Sequence, residues 1–370
     1  SVRTSRGRRA RRPGPPRGGR SRFMWFSRMW SGRPHGSLGG MRPSLLFVAL
    51  MTSLAGPVAA LGGGAPVAAA TEYVGVTPAR YLDTRPAHAT FDGDFTGIGR
   101  ISGNAGVVSL PVAGRGEVPD EVLAVALNVT VTDPTAPGFV TVWPCTAQMP
   151  TASNLNYVAG QTVANAVVSG TDFEGKVCFY SKSPAHLVVD VAGYLPLTST
   201  YAPLVPQRLY DGRFDTCGGV WNSPDVAGFM YPLFDADAEE GCETPYPIEP
   251  LEVPADADAA MLNVTAVDTA GPGYVSIRDC RDRDALVPET STLNFDRAGQ
   301  TVPNLALTTI TYDQSSWPGA MCFDLKSSGY LVIDAFGYFP AGSGYTPIAP
   351  KRIVDTRPTG RTADGLARRD

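Results

Sequence analysis

Histidine is nearly absent from this chain, with three in 370 residues, His35, His88 and His186. No HExxH pair, Cys-x-x-Cys spacing, nucleophile-elbow glycine pattern, P-loop or dinucleotide glycine motif occurs. These absences remove the common signatures of zinc, serine-nucleophile and nucleotide chemistry. Sustained helical periodicity is missing after residue 70, and so is an apolar run near the ~20 residues that a membrane helix needs. What remains is short alternating segments separated by Pro and Gly.

Charge is divided unevenly. Residues 1–40 hold eleven Arg and no acid, whereas the chain from Thr71 onward sets 19 Lys and Arg against all 35 Asp and Glu, a formal charge near −16. An acidic body argues against a nucleic-acid partner, which clustered Lys and Arg would have to hold. Met41-Arg42-Pro43, the apolar stretch Leu45–Ala55 and the small residues at Val58-Ala59-Ala60 or Ala68-Ala69-Ala70 follow the order of a secretory signal peptide. Cleavage after Ala70 places patterned sequence at once downstream. The expected boundaries are a basic segment at 1–40, read as disordered or untranslated upstream sequence, and a signal peptide at 41–70. Two copies of one module follow at 71–197 and 198–341, and a truncated third copy begins at 342–370.

Self-similarity carries that division. Arg80-Tyr81-Leu82-Asp83-Thr84-Arg85 returns as Arg208-Leu209-Tyr210-Asp211-Gly212-Arg213 and as Arg352-Ile353-Val354-Asp355-Thr356-Arg357. Leu127-Asn128-Val129-Thr130 matches Leu262-Asn263-Val264-Thr265, and Gly160-Gln161-Thr162-Val163 matches Gly299-Gln300-Thr301-Val302. Val125, Leu127, Val129 and Val131 alternate with polar or small residues, the period of a half-buried strand. Turns fall at Asp133-Pro134, Pro137-Gly138 and Gly271-Pro272-Gly273. The expected fold is all-β: two tandem antiparallel β-sandwich-like domains, the jelly roll being one form, with a closed barrel left open as the alternative.

Six cysteines follow the signal peptide. The repeat aligns Cys145 with Cys280 and Cys178 with Cys322, so the expected disulfides are Cys145–Cys178 and Cys280–Cys322, with Cys217–Cys242 inside a segment special to the second copy. Such pairs indicate an oxidising compartment, extracellular or at the cell surface.

Recurring polar residues are read first as a hydrogen-bond framework, since buried amides and carboxylates need partners. The specific expectation pairs Arg85 with Asp190 and Arg213 with Asp334, pinning first strand to last. The alternative is a binding pocket repeated per copy, to which Asn156 and Asn294 belong. Trp143 and Trp317 are candidate sugar platforms; Trp143 aligns with Arg278, which suggests an exposed position. Asp235, Asp237 and Glu239 faintly suggest a calcium loop but lack its full pattern; otherwise no metal is expected. Asn128 and Asn263 sit in glycosylation sequons that strand patterning explains better. No cofactor is expected.

The motifs at Tyr81–Arg85, Leu127–Thr130, Gly138–Cys145, Ser153–Tyr157, Gly160–Asn165 and Val189–Tyr194 together resemble a repeat module of secreted actinobacterial proteins. That resemblance spans about residues 73–360 and implies tandem use at the cell surface without an established activity. The second copy departs from it at Asp211-Gly212-Arg213 and at Arg278-Asp279-Cys280. The functional expectation is a non-catalytic structural or adhesive repeat whose partner is an envelope polymer or a surface protein. A carbohydrate-binding module and a hydrolase with a dispersed site around Asp190 or His186 are the alternatives.

Overall fold

Alternation in one segment sets the first layer. Strand β3 (Ala124–Thr132) buries Val125, Leu127, Val129 and Val131 on one face and leaves Asn128 exposed on the other. It pairs antiparallel with β6 (Val163–Gly170) and β8 (His186–Leu195), and β1 (Val74–Asp83) completes the sheet along β8. A second sheet joins β2 (Val108–Pro111), β4 (Gly138–Pro144), β5 (Leu155–Tyr157) and β7 (Lys176–Ser181) in the order β2-β7-β4-β5. Leu82, Leu110, Val142, Phe179 and Leu187 fill the space between the layers. An order of β1-β8-β3-β6 facing β2-β7-β4-β5 is that of a jelly roll. No strand pairing joins the two sheets among the described residues, so the sandwich is open and the barrel alternative falls.

The computed structural model describes residues 71–103, 106–213, 229–232, 253–254, 256–278, 290–313, 317–327, 329–348, 350–357 and 362. Within them the second copy repeats the topology. One sheet runs β14 (Val302–Thr309), β11 (Ala259–Val267), β17 (Tyr330–Phe339), β9 (Ala202–Asp211). The other runs β10 (Phe229–Pro232), β16 (Trp317–Lys326), β12 (Gly273–Arg278), β13 (Leu293–Phe295), with β15 (Thr311–Asp313) also on β16. Leu209, Leu262, Val264, Phe323 and Ile333 form its core. All described elements are strands, and none of the described residues forms a helix long and apolar enough to cross a membrane.

Two local devices recur. The last strand of each module carries a one-residue bulge, at Ala192 opposite β3 and at Phe336 opposite β11. A bulge frees a carbonyl from the ladder. Tyr73 Oη donates to Ala192 O at 3.0 Å, and Tyr201 Oη to Phe336 O at 3.0 Å. Each tyrosine lies over the next glycine, Gly193 or Gly337, where a side chain would collide with its ring. The second device braces the two sheets. Asn165 Nδ2 donates to Asn154 O at 2.7 Å, and Asn304 Nδ2 to Thr292 O at 2.5 Å, tying β6 and β14 to the segments that enter β5 and β13.

Both modules lie in one compact unit, Ala65–Asp370. Strand β11 shows how they meet. Its outward residues Met261, Asn263 and Thr265 are buried, unlike exposed Asn128 at the equivalent of Asn263. Met261, Ala259, Phe336 and Phe339 pack with Ala124, Val168 and Leu195 of the first module. Asn263 donates to Ser153 O at 2.6 Å and accepts from Asn165 Nδ2 at 3.1 Å, while Asn165 Oδ1 accepts from Leu305 N at 3.3 Å. The linker is a fixed turn: Ser199 N donates to Pro196 O at 2.9 Å, and Tyr201 N to Ser199 Oγ at 3.1 Å. The same turn recurs after the second module, at Pro340, Ser343 and Tyr345.

A Gly337→Ala substitution tests the bulge device, because its Cβ would meet the Tyr201 ring and the Ala202 carbonyl oxygen at 2.6 Å. Overpacking of this kind costs about 1–3 kcal/mol. Urea denaturation should show that loss, and Tyr201→Phe alone should cost less.

Candidate binding site at the module junction

The Asp-x-Arg motif is a local turn. Arg85 N donates to Asp83 Oδ1 at 3.1 Å, and the guanidinium returns to the same carboxylate through Nε and Nη2 at 2.9 and 2.7 Å. Asp211 and Arg213 repeat this geometry, as do Asp355 and Arg357, around which the described residues form no strand. An Asp that bonds the backbone two residues on needs no long-range support. This overturns the expected pairs. Arg85 is captured by Asp83 and Arg213 by Asp211, so the strand-pinning partners are the earlier arginines. Arg80 lies opposite Asp190 in the β1–β8 register and donates to it at 2.9 Å; Arg208 meets Asp334 across β9–β17 at 2.6 Å. Arg80 and Arg208 also reach Asp83 and Asp211, at 3.2 and 2.7 Å.

The same carboxylates titrate differently according to their surroundings. Burial pushes Asp83 and Asp211 up, but the hydrogen bonds of Arg85 and Arg213, joined by the charges of Arg80 and Arg208, hold both below the ordinary carboxylate range. Asp334 has no exposed side-chain surface and its Oδ2 has no hydrogen-bond partner; there burial dominates the pull of Arg208 and raises the carboxyl to about 6. His186 is buried beside Thr84, 3.1 Å from its Oγ1, and burial together with Arg100 lowers its pKa. Asp190 and His186 are therefore each held by a separate partner, Arg80 and Thr84.

Trp143 is not an exposed platform. It is 3% exposed, and its indole N–H donates to Ala147 O at 3.1 Å. The turn after β4 folds back, with Ala147 N on Pro144 O at 3.0 Å, and Cys145 is bonded to Cys178 on β7. A sugar site on Trp143 is thereby ruled out in this structure: the anchored turn covers the ring that the expectation placed in solvent. The Cys145–Cys178 disulfide is the expected one, of a kind that persists in oxidising compartments. Cys217, Cys242, Cys280, Asp235, Asp237 and Glu239 lie outside the described residues, as do the side chains of Cys322 and Trp317. Among the described residues no cluster of His, Cys, Asp and Glu is placed to hold a metal. Asn294 is exposed on β13, and Asn263, buried between the modules, offers no room for a glycan.

An open groove of about 320 Å³ lies where the modules meet. Phe139, Asn156, Gln161 and Lys182 line it from the first module, and Arg297, Gln300 and Thr301 from the second. Two equivalent loops that cross from one sheet to the other face it, β5–β6 and β13–β14. Each turns at a glycine with φ of +72°, Gly160 and Gly299, a conformation that a side chain would strain. Each is capped by the next residue: Gln161 Oε1 accepts from Val158 N at 3.0 Å, and Gln300 Oε1 from Asp296 N at 2.7 Å and Arg297 N at 3.0 Å. The side-chain oxygens are thus committed to the fold, while neither Nε2 has a partner among the described residues. Lys182 Nζ stands 5.6 Å from the Phe139 ring centroid, and the half-buried ring tilts against Tyr180 at 6.0 Å. Of the residues flagged in the sequence, Asn156 and the Gln161/Gln300 pair belong to this groove. Phe139, Lys182 and Arg297 were not singled out; each is an unremarkable surface residue until the modules dock.

The Asp334 carboxyl yields a pH dependence. Its folded-state value near 6 exceeds its ordinary 3.8, so its contribution to stability is fully present below pH 3.8 and is lost as pH rises through about 6. Asp334→Asn should remove that component. Between pH 4 and 7, the melting temperature of wild type relative to this variant should fall. A constant difference would show that Asp334 stays ionised throughout.

Protein-family models and curated protein sequences give no match to the chain. Among solved structures it is similar to the N-terminal CBM22-1-CBM22-2 tandem domain from Paenibacillus barcinonensis Xyn10C, at 11% identity and a TM-score of 0.21, covering 73% of this chain and 99% of that one. The jelly-roll assignment rests on the strand order and not on this likeness.

Proposed function

We propose that the chain is a secreted, non-catalytic adhesive module of an actinobacterial cell surface, with its two jelly rolls working as one rigid body. The observation that carries this reading is the buried junction. Asn263 loses all solvent exposure under the first module and recovers two hydrogen bonds there, from Asn165 and to Ser153. Modules on a flexible string need no such contact, because a buried amide is costly unless its partners are fixed. The signal-peptide-like segment, the Cys145–Cys178 disulfide and the repeated linker turns support an exported array that holds its surfaces at set spacing. A second reading, carbohydrate binding, is favoured by the junction groove, whose polar side chains and half-buried phenyl ring suit a sugar.

Two measurements test the main reading. Isolated actinobacterial cell walls should retain the oxidised full chain; failure to retain it on walls or on their surface proteins would end the adhesive reading. Wild type should also unfold in one transition. Asn165→Ala leaves Asn263 short of a partner, so it should cost about 1–3 kcal/mol and separate the module transitions. Two independent transitions in wild type would mean that the modules are not one body.

A further inference from the structure

We infer that the junction groove binds an acidic polysaccharide, a uronate-bearing chain whose carboxylate sits between Lys182 and Arg297. The inference rests on the carbohydrate reading and adds the charge of the ligand. Three observations carry it. From Thr71 onward the protein is near −16 in formal charge, yet among the described residues no Asp or Glu lines this groove, and a lysine and an arginine do, one from each module. Lys182 has no carboxylate partner among the described residues, and Arg297 has only Asp296, 3.4 Å away with both side chains largely exposed, a contact that water and salt weaken. The two glutamines spend their oxygens on their own loops and leave amide N–H groups as the unspent polarity.

Donors therefore dominate the site. A carboxylate accepts without donating, and it matches a guanidinium, an ammonium and amide N–H groups together. Phe139 provides the apolar surface that the C–H face of a sugar ring can cover, so the groove suits an anion carried on a ring better than a free ion. The acidic remainder of the protein repels polyanions at large, and binding that occurs in spite of this must be local. Because the lining comes from both modules, the site exists only while they are docked.

Isothermal titration of the oxidised full chain with a hyaluronan oligosaccharide, a neutral chito-oligosaccharide of equal length and poly(glycerol phosphate) tests the proposal. Hyaluronan should bind, weaken as salt rises past about 0.15 M, and lose about tenfold in affinity with Lys182→Ala or Arg297→Ala, each removing one charge-assisted contact. Both side chains are exposed, and an unchanged melting temperature would certify folding. Phe139→Ala should weaken binding as well. If the neutral oligosaccharide binds equally, the charge assignment fails and the carbohydrate reading stands. If poly(glycerol phosphate) binds better than hyaluronan, the carboxylate assignment fails. If no saccharide binds, both the inference and the carbohydrate reading fail.

Discussion

Covering the outer face of β11 is the constraint on which the rest of this structure depends. The strand has the same alternation as β3, and alone it would show water a methionine, an asparagine and a threonine. The first module lies over that face and buries all three. From this one contact follow the fixed turn at Pro196–Tyr201, the apolar cluster around Phe336 and Phe339, and the close approach of β6 to β14. Apolar burial supplies the drive, and the Asn165–Asn263 bond supplies the register, since a pair of buried amides tolerates few alternative alignments.

Burial also explains why identical motifs behave differently in the two copies. Asp190 and Asp334 occupy the same repeat position and meet equivalent arginines. Asp190 keeps 26% of its side-chain surface, whereas Asp334 keeps none. Water shields the first ion pair. In the second, Arg208 bonds one oxygen and the other has no hydrogen-bond partner; the charges of Arg208 and Arg213 do not outweigh burial, and the proton affinity rises accordingly. Charge pairs do not become stronger simply by being buried; desolvation can exceed the attraction.

The fold was legible in the sequence because its signals are local and doubled. Val125, Leu127, Val129 and Val131 declare a strand, and their counterparts in the second copy declare the same one. The disulfide Cys145–Cys178 followed from the alignment of copies. The arginine partners did not follow: Asp83, Thr84 and Arg85 close a two-residue turn, and nothing in the order of letters says that Arg85 is spent there while Arg80, inside the strand, is free to cross to Asp190. Trp143 was misplaced for a similar reason. Its alignment with Arg278 suggested solvent, but the turn to Ala147 that covers it belongs to the first copy's own loop.

The groove was the least legible feature, because Phe139 and Lys182 are separated from Arg297 and Gln300 by more than a whole strand order of the fold. Only docking brings them together, and that has a thermodynamic consequence. A ligand that touches both modules binds the docked state and not the separated one, so it must stabilise the junction by linkage. The reverse holds equally: whatever loosens the Asn165–Asn263 seam lowers the population of a complete groove and weakens the ligand in proportion. In the proposed mode of binding, rigidity and recognition are therefore one property, set by how firmly the first module sits on β11.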